Sequence, residues 1–405
     1  MKWINKGHQF DELTRQLKRR NRILIYGAGA YGDKCYNEYL HPLLQSAVVG
    51  FIDRDEKKQQ SGFNGHRVYS PEILFSEHDE THLIIVAMIG EKAERLINRL
   101  EKAGYVKNWD FYMYNAPIFS GSLNDVFMPV FSLAALDKVY VTSGCIVPDT
   151  HCNLNCKDCL NFTPYIKKHI RRRIDELIDD INLYFKWVDF SERYQISGGE
   201  PLLYPDIIEL VKYIGENYRE RINIFEIVIN GTIVPSDGLC DAMSKYNMTV
   251  YLDNYTDTIP SELSHRSEII SKLSKYGVRW IDNTVKNWFS LDIEHTDNSQ
   301  MTDSQLEEYF DRCNNPWHCF ENGKMYSCNF SRFAMKAGII SEENNDFFDF
   351  RKITEKKRME LLEFMLGYTQ KGYVDFCKKC AAWGPANKNI VPVAIQLGND
   401  EDINV

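Results

Sequence analysis

Three cysteines, Cys152, Cys156 and Cys159, fall within eight residues of one another in the stretch HCNLNCKDCLNF, residues 151–162. Cysteines this dense are better read as metal ligands than as core filler. A structural zinc ion asks for four ligands, usually as two close pairs. His151 is a candidate fourth ligand, but it adjoins Cys152 and the geometry is awkward. A 4Fe–4S cube held by three thiolates instead leaves one iron open to bind a substrate or cofactor directly. A second set follows: Cys313, Gly323 and Cys328 in a Cys-x9-Gly-x4-Cys spacing, then Cys377 and Cys380 as Cys-x2-Cys. Four thiolates suit either an all-sulfur zinc site or a second iron–sulfur cluster. Cys35, Cys145, Cys240 and Cys319 stand outside these patterns and read mainly as small buried apolar residues. Cys319 lies between the expected ligands, as a spare thiol or an alternative ligand.

With these residues in view, the chain resembles the radical S-adenosylmethionine (SAM) superfamily. Its Cys-x3-Cys-x2-Cys signature matches residues 152–159, and "SGGEPLLYPD", from Ser197, resembles its Gly-Gly-Glu motif. "FEIVINGTIV" is similar to a third family stretch at a strand end. Together the likeness covers roughly residues 140–285. It implies a 4Fe–4S cluster on Cys152, Cys156 and Cys159, with SAM chelating the open iron. An electron from the cluster, supplied by a donor such as flavodoxin or ferredoxin, breaks the sulfonium bond. The resulting 5′-deoxyadenosyl radical abstracts hydrogen from substrate. The resemblance also implies that Gly198, Gly199 and Glu200 contact the methionine amino group, and that Asn230 lies near the SAM ribose or carboxylate. Asp253 ends an equivalent strand, as a further SAM-site residue or a turn acid. Asp158 departs from the pattern, since the family carries an aromatic residue there that helps bind adenine. The second cysteine set resembles the SPASM/twitch extension. No cysteine follows Cys380, so the twitch form, with one auxiliary cluster on Cys313, Cys328, Cys377 and Cys380, fits better than a full SPASM domain. That cluster is an electron relay, a structural element or a modulator of the first.

A third constellation lies near the start. "YGAGAYG" places Gly27, Gly29 and Gly32 in G-x-G-x-x-G spacing between an expected strand and helix, where helix amides face a phosphate. Asp53 and Asp55 end the next strand, where a ribose-binding acid belongs. The run "VVGFIDRDEKKQQSGFNGHRVYSPEIL" resembles the N-terminal domain of bacterial sugar acyltransferases and related sugar-modifying enzymes. That likeness implies a nucleotide or nucleotide-sugar rather than a nicotinamide; the alternative is a scaffold or dimerisation domain. Two basic stretches, "KRRNR" (18–22) and "KKHIRRR" (167–173), read as solvated helix ends. Lys167, Lys168, Arg171, Arg172 and Arg173 are also candidates for holding a phosphate or carboxylate near the cysteine loop.

The elements that must position these residues alternate between strand and helix. In the first ~120 residues, "RILIY", "AVVGFID" and "THLIIVAM" alternate with helical patterns such as "GEKAERLINRLEKAGY", which points to a parallel sheet. Residues 115–137 read as a linker. From Lys138 a second alternation, "KVYVTS", "RYQIS", "FEIVIN", "MTVYLD" and "GVRWID", suits a full or partial barrel of parallel strands. The expected fold is α/β: a Rossmann-like nucleotide-binding-type domain over 1–122, a partial TIM barrel over 123–300 and a small iron–sulfur twitch domain over 301–405. A net charge of −9 argues against nucleic acid as a partner. No apolar run approaches the ~20 residues that span a membrane, and the amphipathic, charged N-terminus lacks a signal-peptide core. A cytoplasmic location is expected, with reduced thiols. The reading is an enzyme on a small-molecule substrate, favoured as a sugar or nucleotide-sugar, oxidised, dehydrated or epimerised. A peptide maturase and a zinc-stabilised binding protein are the alternatives; oligomeric state is left open.

Overall fold

The computed structural model describes residues 1–76, 80–114, 124–313, 317–343, 346–384 and 387–398. The chain divides into two compact units, Phe10–Tyr140 and Met1–Gln9 with Val141–Val405.

The first unit is built on β1 (Arg22–Tyr26), β2 (Val48–Ile52), β3 (Val68–Tyr69), β4 (His82–Val86) and β5 (Phe111–Met113). They form one sheet in the order β3-β2-β1-β4-β5, every pair parallel. The strands are short apolar runs because both faces of such a sheet are covered. β1 and β4 each bury their last four residues. The helix α1 (Glu91–Lys102) buries Ala93, Leu96 and Leu100, one stripe at helical spacing. The order reverses at β1, so a crevice opens between the C-terminal ends of β1 and β4. The linker expected at 115–137 is not one throughout. Residues 115–123 lie outside the described segments, and Asn124–Leu136 form a helix, α2. Phe127, Met128, Val130 and Phe131 are buried, and their burial outweighs the turn signal of Pro129 inside the helix.

The second unit carries β6 (Gly144–Ile146), α3 (Ile174–Trp187), β7 (Phe190–Ile196), α4 (Ile207–Tyr218), β8 (Ile222–Ile229), α5 (Asp237–Lys245), β9 (Thr249–Asp253), α6 (Arg266–Lys275), β10 (Arg279–Asn283) and β11 (Asn287–Phe289). It continues through β12 (Cys319–Glu321), β13 (Lys324–Tyr326), α7 (Asn329–Lys336), β14 (Phe347–Asp349) and β15 (Ile390–Pro392). The large sheet runs β10-β9-β8-β7-β6-β12-β13-β14. It is parallel from β10 to β12 and antiparallel beyond. The helices bury one face each, for example Leu177, Ile181, Tyr184 and Phe185 of α3. The strand entering the cysteine loop is Gly144–Ile146, wholly beyond the expected "KVYVTS" (138–143), of which only Tyr140–Val141 form a strand. Gly144 is there because a Cβ would meet the Tyr184 hydroxyl at 2.6 Å. The expected 301–405 region shares this sheet, since Cys319 pairs in parallel with Cys145. Register aligns Ile146 with Ile196, Ile196 with Ile227, and Asp253 with Asn283. The loops after β6, β7, β8 and β9 therefore leave from one edge of the sheet. Among the described residues, no helix is long and apolar enough to cross a membrane.

Candidate active site: a three-cysteine loop and the strand ends around it

The loop after β6 is held by the segment after β7. Ser197 N donates to Ile146 O (3.1 Å), Gly199 N to Asp149 O (3.0 Å) and Glu200 N to His151 O (2.8 Å). The two backbones approach so closely that side chains are excluded. A Cβ on Gly198 would stand 2.3 Å from Asp149 O, and one on Gly199 2.0 Å from His151 O. The Gly-Gly pair is thus required by the cysteine loop itself. Asn161 Nδ2 donates back to Gly198 O at 2.5 Å. Asp149, 1% exposed, ties down the loop entry by accepting from His151 N (2.9 Å), His151 Nδ1 (2.5 Å) and Arg171 Nε (2.6 Å). The arginines of the basic stretch are committed in the same way. Arg172 is buried against Asp180 (2.7 Å), and Arg173 pairs with Asp175 (3.0 Å). Lys167 and Lys168 stay exposed.

Glu200, Asn230 and Asp253 converge on this loop from three strand ends. Glu200 is 1% exposed, and its two carboxylate oxygens accept from Leu202 N (3.0 Å) and Asn230 N (2.8 Å). Burial pushes its carboxyl up to about 7 against the pull of those two amides. Asn230 follows β8; its Nδ2 donates to Asn153 Oδ1 (3.0 Å) and faces Cys152 Sγ at 3.7 Å. Its Oδ1 accepts from Thr232 N (3.0 Å) and Oγ1 (2.6 Å), which fixes the amide orientation. Asp253 accepts from Asn283 Nδ2 (2.6 Å) and the Tyr255 hydroxyl (2.7 Å), and burial lifts it to about 6. Cys152 and Cys159 pack with Tyr255 and Trp288 around the buried Leu154, Cys156 and Ile259. Burial pushes the free thiols of Cys152 and Cys156 up to about 12, so they carry their protons until a metal displaces them. Asp158, where the family signature has an aromatic residue, is engaged by the Ser290 hydroxyl at 2.5 Å. Asp149, Asn153 and Tyr255 carry no motif of their own, and Thr232 enters only as part of the stretch around Asn230. Their only sequence signal is position, each next to a cysteine or a strand end.

Cys328, Cys377 and Cys380 are buried in one apolar cluster with Phe162, Phe330 and Phe376. Trp383, packed against the same cluster, brings Cys313 beside the other three. Trp383 N donates to Cys313 Sγ and Ser331 N to Cys328 Sγ, both at 3.4 Å. Asn298 Nδ2 holds the carbonyls of Cys377 (2.9 Å) and Cys380 (3.2 Å). Cys319 lies in β12 opposite Cys145, with both residues fully or almost fully buried. Among the described residues, no three His, Cys, Asp or Glu side chains are close enough to bind one metal ion.

Residues 146–302, from the end of β6 through the strand ends just described, match the model of the radical SAM superfamily. That stretch is a radical SAM domain. The protein is accordingly an enzyme, and the domain implies a 4Fe–4S cluster and SAM. The residues fit that pair. Cys152, Cys156 and Cys159 supply three soft thiolates in one apolar cluster, and Leu154 N and Asn230 Nδ2 face Cys152 Sγ at 3.5 and 3.7 Å. Residues 19–99 match a family described as C2185-like, N-terminal. No curated protein matches the chain. Among solved structures, BtrN in complex with AdoMet and 2-DOIA is 12% identical, covering 63% of this chain and 100% of that one, with a TM-score of 0.38. Streptococcus suis SuiB is 16% identical over 63% of this chain and 52% of its own, TM-score 0.29. Native anSMEcpe with bound AdoMet and Cp18Cys peptide is 18% identical over 35% of this chain, TM-score 0.28; the match spans 42% of that chain.

The glycine loop of the other unit follows β1 and is built differently. A Cβ on Gly32 would stand 1.8 Å from Gly27 O, and one on Gly27, at φ +116°, 2.7 Å from Ala87 O. Gly32 is needed for the turn to close on itself, and Gly27 for the turn to pass the backbone after β4. Gly29 has nothing within 4 Å of its Cβ position. Asp53 accepts from Ala28 N (2.9 Å) and Asp55 N (3.1 Å), and Lys58 Nζ donates to Ala28 O (2.6 Å). The acid expected to meet a ribose is thus engaged with the loop backbone.

Proposed function

We propose that the protein reductively cleaves SAM and abstracts hydrogen from a small polar substrate, with a sugar or nucleotide-sugar as the favoured class. The observation that carries this is the backbone lock between Gly198–Glu200 and residues 149–151. It presents Cys152, Cys156 and Cys159 at the strand ends where Asn230 and Asp253 also arrive. In this reading the three thiolates hold the 4Fe–4S cluster, while Gly198, Gly199, Asn230 and Asp253 line the SAM site. When bound, that pair supplies one electron and a 5′-deoxyadenosyl radical.

The chain's own residues do the rest. Glu200 couples the Gly-Gly segment to the end of β8, so the two walls keep a fixed spacing. Asn230 orients Asn153 and points an N–H toward Cys152, and N–H donors near a ligating sulfur stabilise its added charge. Tyr255, Trp288 and Leu154 exclude water from the sulfurs, which protects a radical from quenching. A cleft beside Cys159 is lined by Lys157, Asp158, Tyr165, Asp292, Glu294 and His295. Charges of both signs there support a polar substrate. The burial of Cys328, Cys377 and Cys380 in one apolar cluster, with backbone amides on the Cys313 and Cys328 sulfurs, supports a twitch-type auxiliary 4Fe–4S cluster on these four cysteines. A flavodoxin or ferredoxin supplies the electron, and the N-terminal unit is a Rossmann-like domain that binds the nucleotide part of a ligand at Gly27, Gly29, Gly32 and Asp53.

Anaerobic reconstitution followed by reduction in the presence of SAM tests the reading. The expected products are 5′-deoxyadenosine and methionine, formed slowly even without substrate. Deuterium transfer from a labelled metabolite pool into 5′-deoxyadenosine then identifies the substrate. Stoichiometric zinc with negligible iron, and no SAM cleavage, refutes it.

A further inference from the structure

The last described segment of the chain returns to the three-cysteine loop. β15 pairs antiparallel with β11, matching Trp288 with Val391 and Phe289 with Ile390. Val393 and Ala394 then turn inward, 4% and 0% exposed, and pack on Leu154, Cys156 and Ile259. Beyond the turn the chain runs antiparallel to the loop. Lys157 N donates to Ile395 O and Leu397 N to Asn155 O, both at 2.8 Å, with Cys156 opposite Gln396. No reading of the motifs involved this segment.

The side chain of Gln396 has a determined orientation. Asn155 N, which can only donate, lies 2.7 Å from Gln396 Oε1, so the amide oxygen must be there. The Nε2 end then points at Cys156 Sγ, 3.2 Å away, with Ala394 O at 2.6 Å taking its other hydrogen. By comparison, the N–H groups facing Cys152 Sγ stand at 3.5 Å from Leu154 and 3.7 Å from Asn230. Cys159 Sγ meets the Thr163 hydroxyl at 3.7 Å. The shortest donor contact to any sulfur of the loop therefore comes from a residue 240 positions away.

We propose that Gln396 is a positioning and potential-tuning residue for the cluster on Cys152, Cys156 and Cys159, acting through its N–H···S hydrogen bond to the middle ligand; this rests on the cluster reading above. Reduction adds negative charge to the ligating sulfurs, and a hydrogen-bond donor stabilises the reduced form more than the oxidised form. The segment 393–397 is thus part of the cluster site, and Gln396 makes the cluster easier to reduce.

The test uses the full chain, reconstituted anaerobically, as wild type, Gln396→Glu and Gln396→Met. Glutamate keeps an acceptor for Asn155 N and removes the donor, while methionine keeps the length and apolar packing without the donor. Iron per chain is counted, and a potentiometric titration follows the electron paramagnetic resonance signal that SAM perturbs. With iron retained, the ratio of reduced to oxidised cluster at a fixed potential falls about tenfold in Gln396→Met, equivalent to 59 mV for a one-electron couple. Gln396→Glu shifts further in the same direction, because it adds a negative charge. An unchanged midpoint in both variants at full iron content overturns the inference. Iron loss from both variants also overturns the tuning role and leaves the segment a retaining strap alone. Wild-type protein that binds no iron dependent on Cys152, Cys156 and Cys159 refutes the cluster reading instead, which separates the two failures.

Discussion

Two glycine-bearing loops sit at the C-terminal ends of parallel strands in the two units, and their glycines serve different purposes. Gly198 and Gly199 make room for another loop, the one carrying the cysteines. Gly27 and Gly32 make room for their own turn and for Ala87, and Gly29 faces open space. The acids beside them differ as well. Glu200 is 1% exposed with both oxygens on backbone amides. Asp53 has a side chain 24% exposed beside Lys58. A glycine motif after a strand therefore does not by itself name a ligand. What a Cβ would strike tells whether a neighbouring loop, the turn itself or a guest requires the space.

The largest expected difference concerns the chemistry that only one loop carries. Cys156→Ala should abolish SAM cleavage and remove about half of an iron content of roughly eight per chain, the load of two 4Fe–4S clusters. Cys380→Ala should remove the other half and spare uncoupled SAM cleavage. Iron analysis with 5′-deoxyadenosine quantified by chromatography checks both. Equal effects of the two variants on uncoupled cleavage would erase the division of labour between the cysteine sets.

A smaller effect comes from the buried acid. Burial pushes the Glu200 carboxyl up to about 7 in the folded protein, from an ordinary value of about 4.5. Its folded pKa is raised, so its contribution to stability is complete below about 4.5 and is lost as pH rises through about 7. Glu200→Gln lacks this titration and also leaves one of two backbone N–H groups without an acceptor. Wild type should exceed the variant in stability at pH 5.5, and the gap should narrow by about 2 kcal/mol by pH 8.5. Urea unfolding of SAM-free protein across that range measures it; parallel curves would show that Glu200 is solvated rather than buried.

Gly199→Ala and Gly29→Ala put the steric comparison to a direct test. The first drives a methyl group to 2.0 Å from His151 O and must displace the cysteine loop. A cost of roughly 2–3 kcal/mol is expected, with loss of iron from the three-cysteine site. The second meets nothing and should change stability by roughly 0.5 kcal/mol or less. Thermal melts of the two variants side by side check the contrast.

How far this was legible in the sequence depended on whether the signal was local. The cysteine spacings, the Gly-Gly-Glu stretch and the strand–helix alternation are local patterns, and the parallel sheets and the radical SAM domain follow from them. The lock of Gly199 on Asp149 was not visible, because nothing in "SGGEP" says which backbone it approaches. Helix α2 was hidden by Pro129 and by turn residues just before it, since tertiary burial of Phe127 and Phe131 is not a local property. Gln396 was invisible for the same reason. It is an ordinary polar residue near the end of the chain, and its role exists only because β15 pairs with β11 and returns the backbone to Cys156. The surroundings of Asp53 were equally hidden: spacing placed it at a ribose-binding position, but did not show that its carboxylate accepts from the backbone amides of Ala28 and Asp55.

That last point sets the most discriminating prediction. The empty space above Gly29 is where a phosphate would approach the loop, and the helical turn from Ala30 presents its first amides there. Gly29→Val fills that space without touching Gly27 or Gly32, so the fold of the unit should be unchanged in melts and circular dichroism. Calorimetric titration of the full chain with nucleotide-sugars, coenzyme A and dinucleotides should find one ligand class bound tighter than millimolar. The variant should then weaken it about tenfold, or about 1.4 kcal/mol. The weakening should be confined to that ligand and leave SAM cleavage intact, because Gly29 and the cysteines belong to different units. Binding unaffected by valine would mean that Asp53 and Lys58 have closed the loop on itself. No binding at all would make the N-terminal unit a scaffold, and the sugar-nucleotide assignment of the substrate would lose its support.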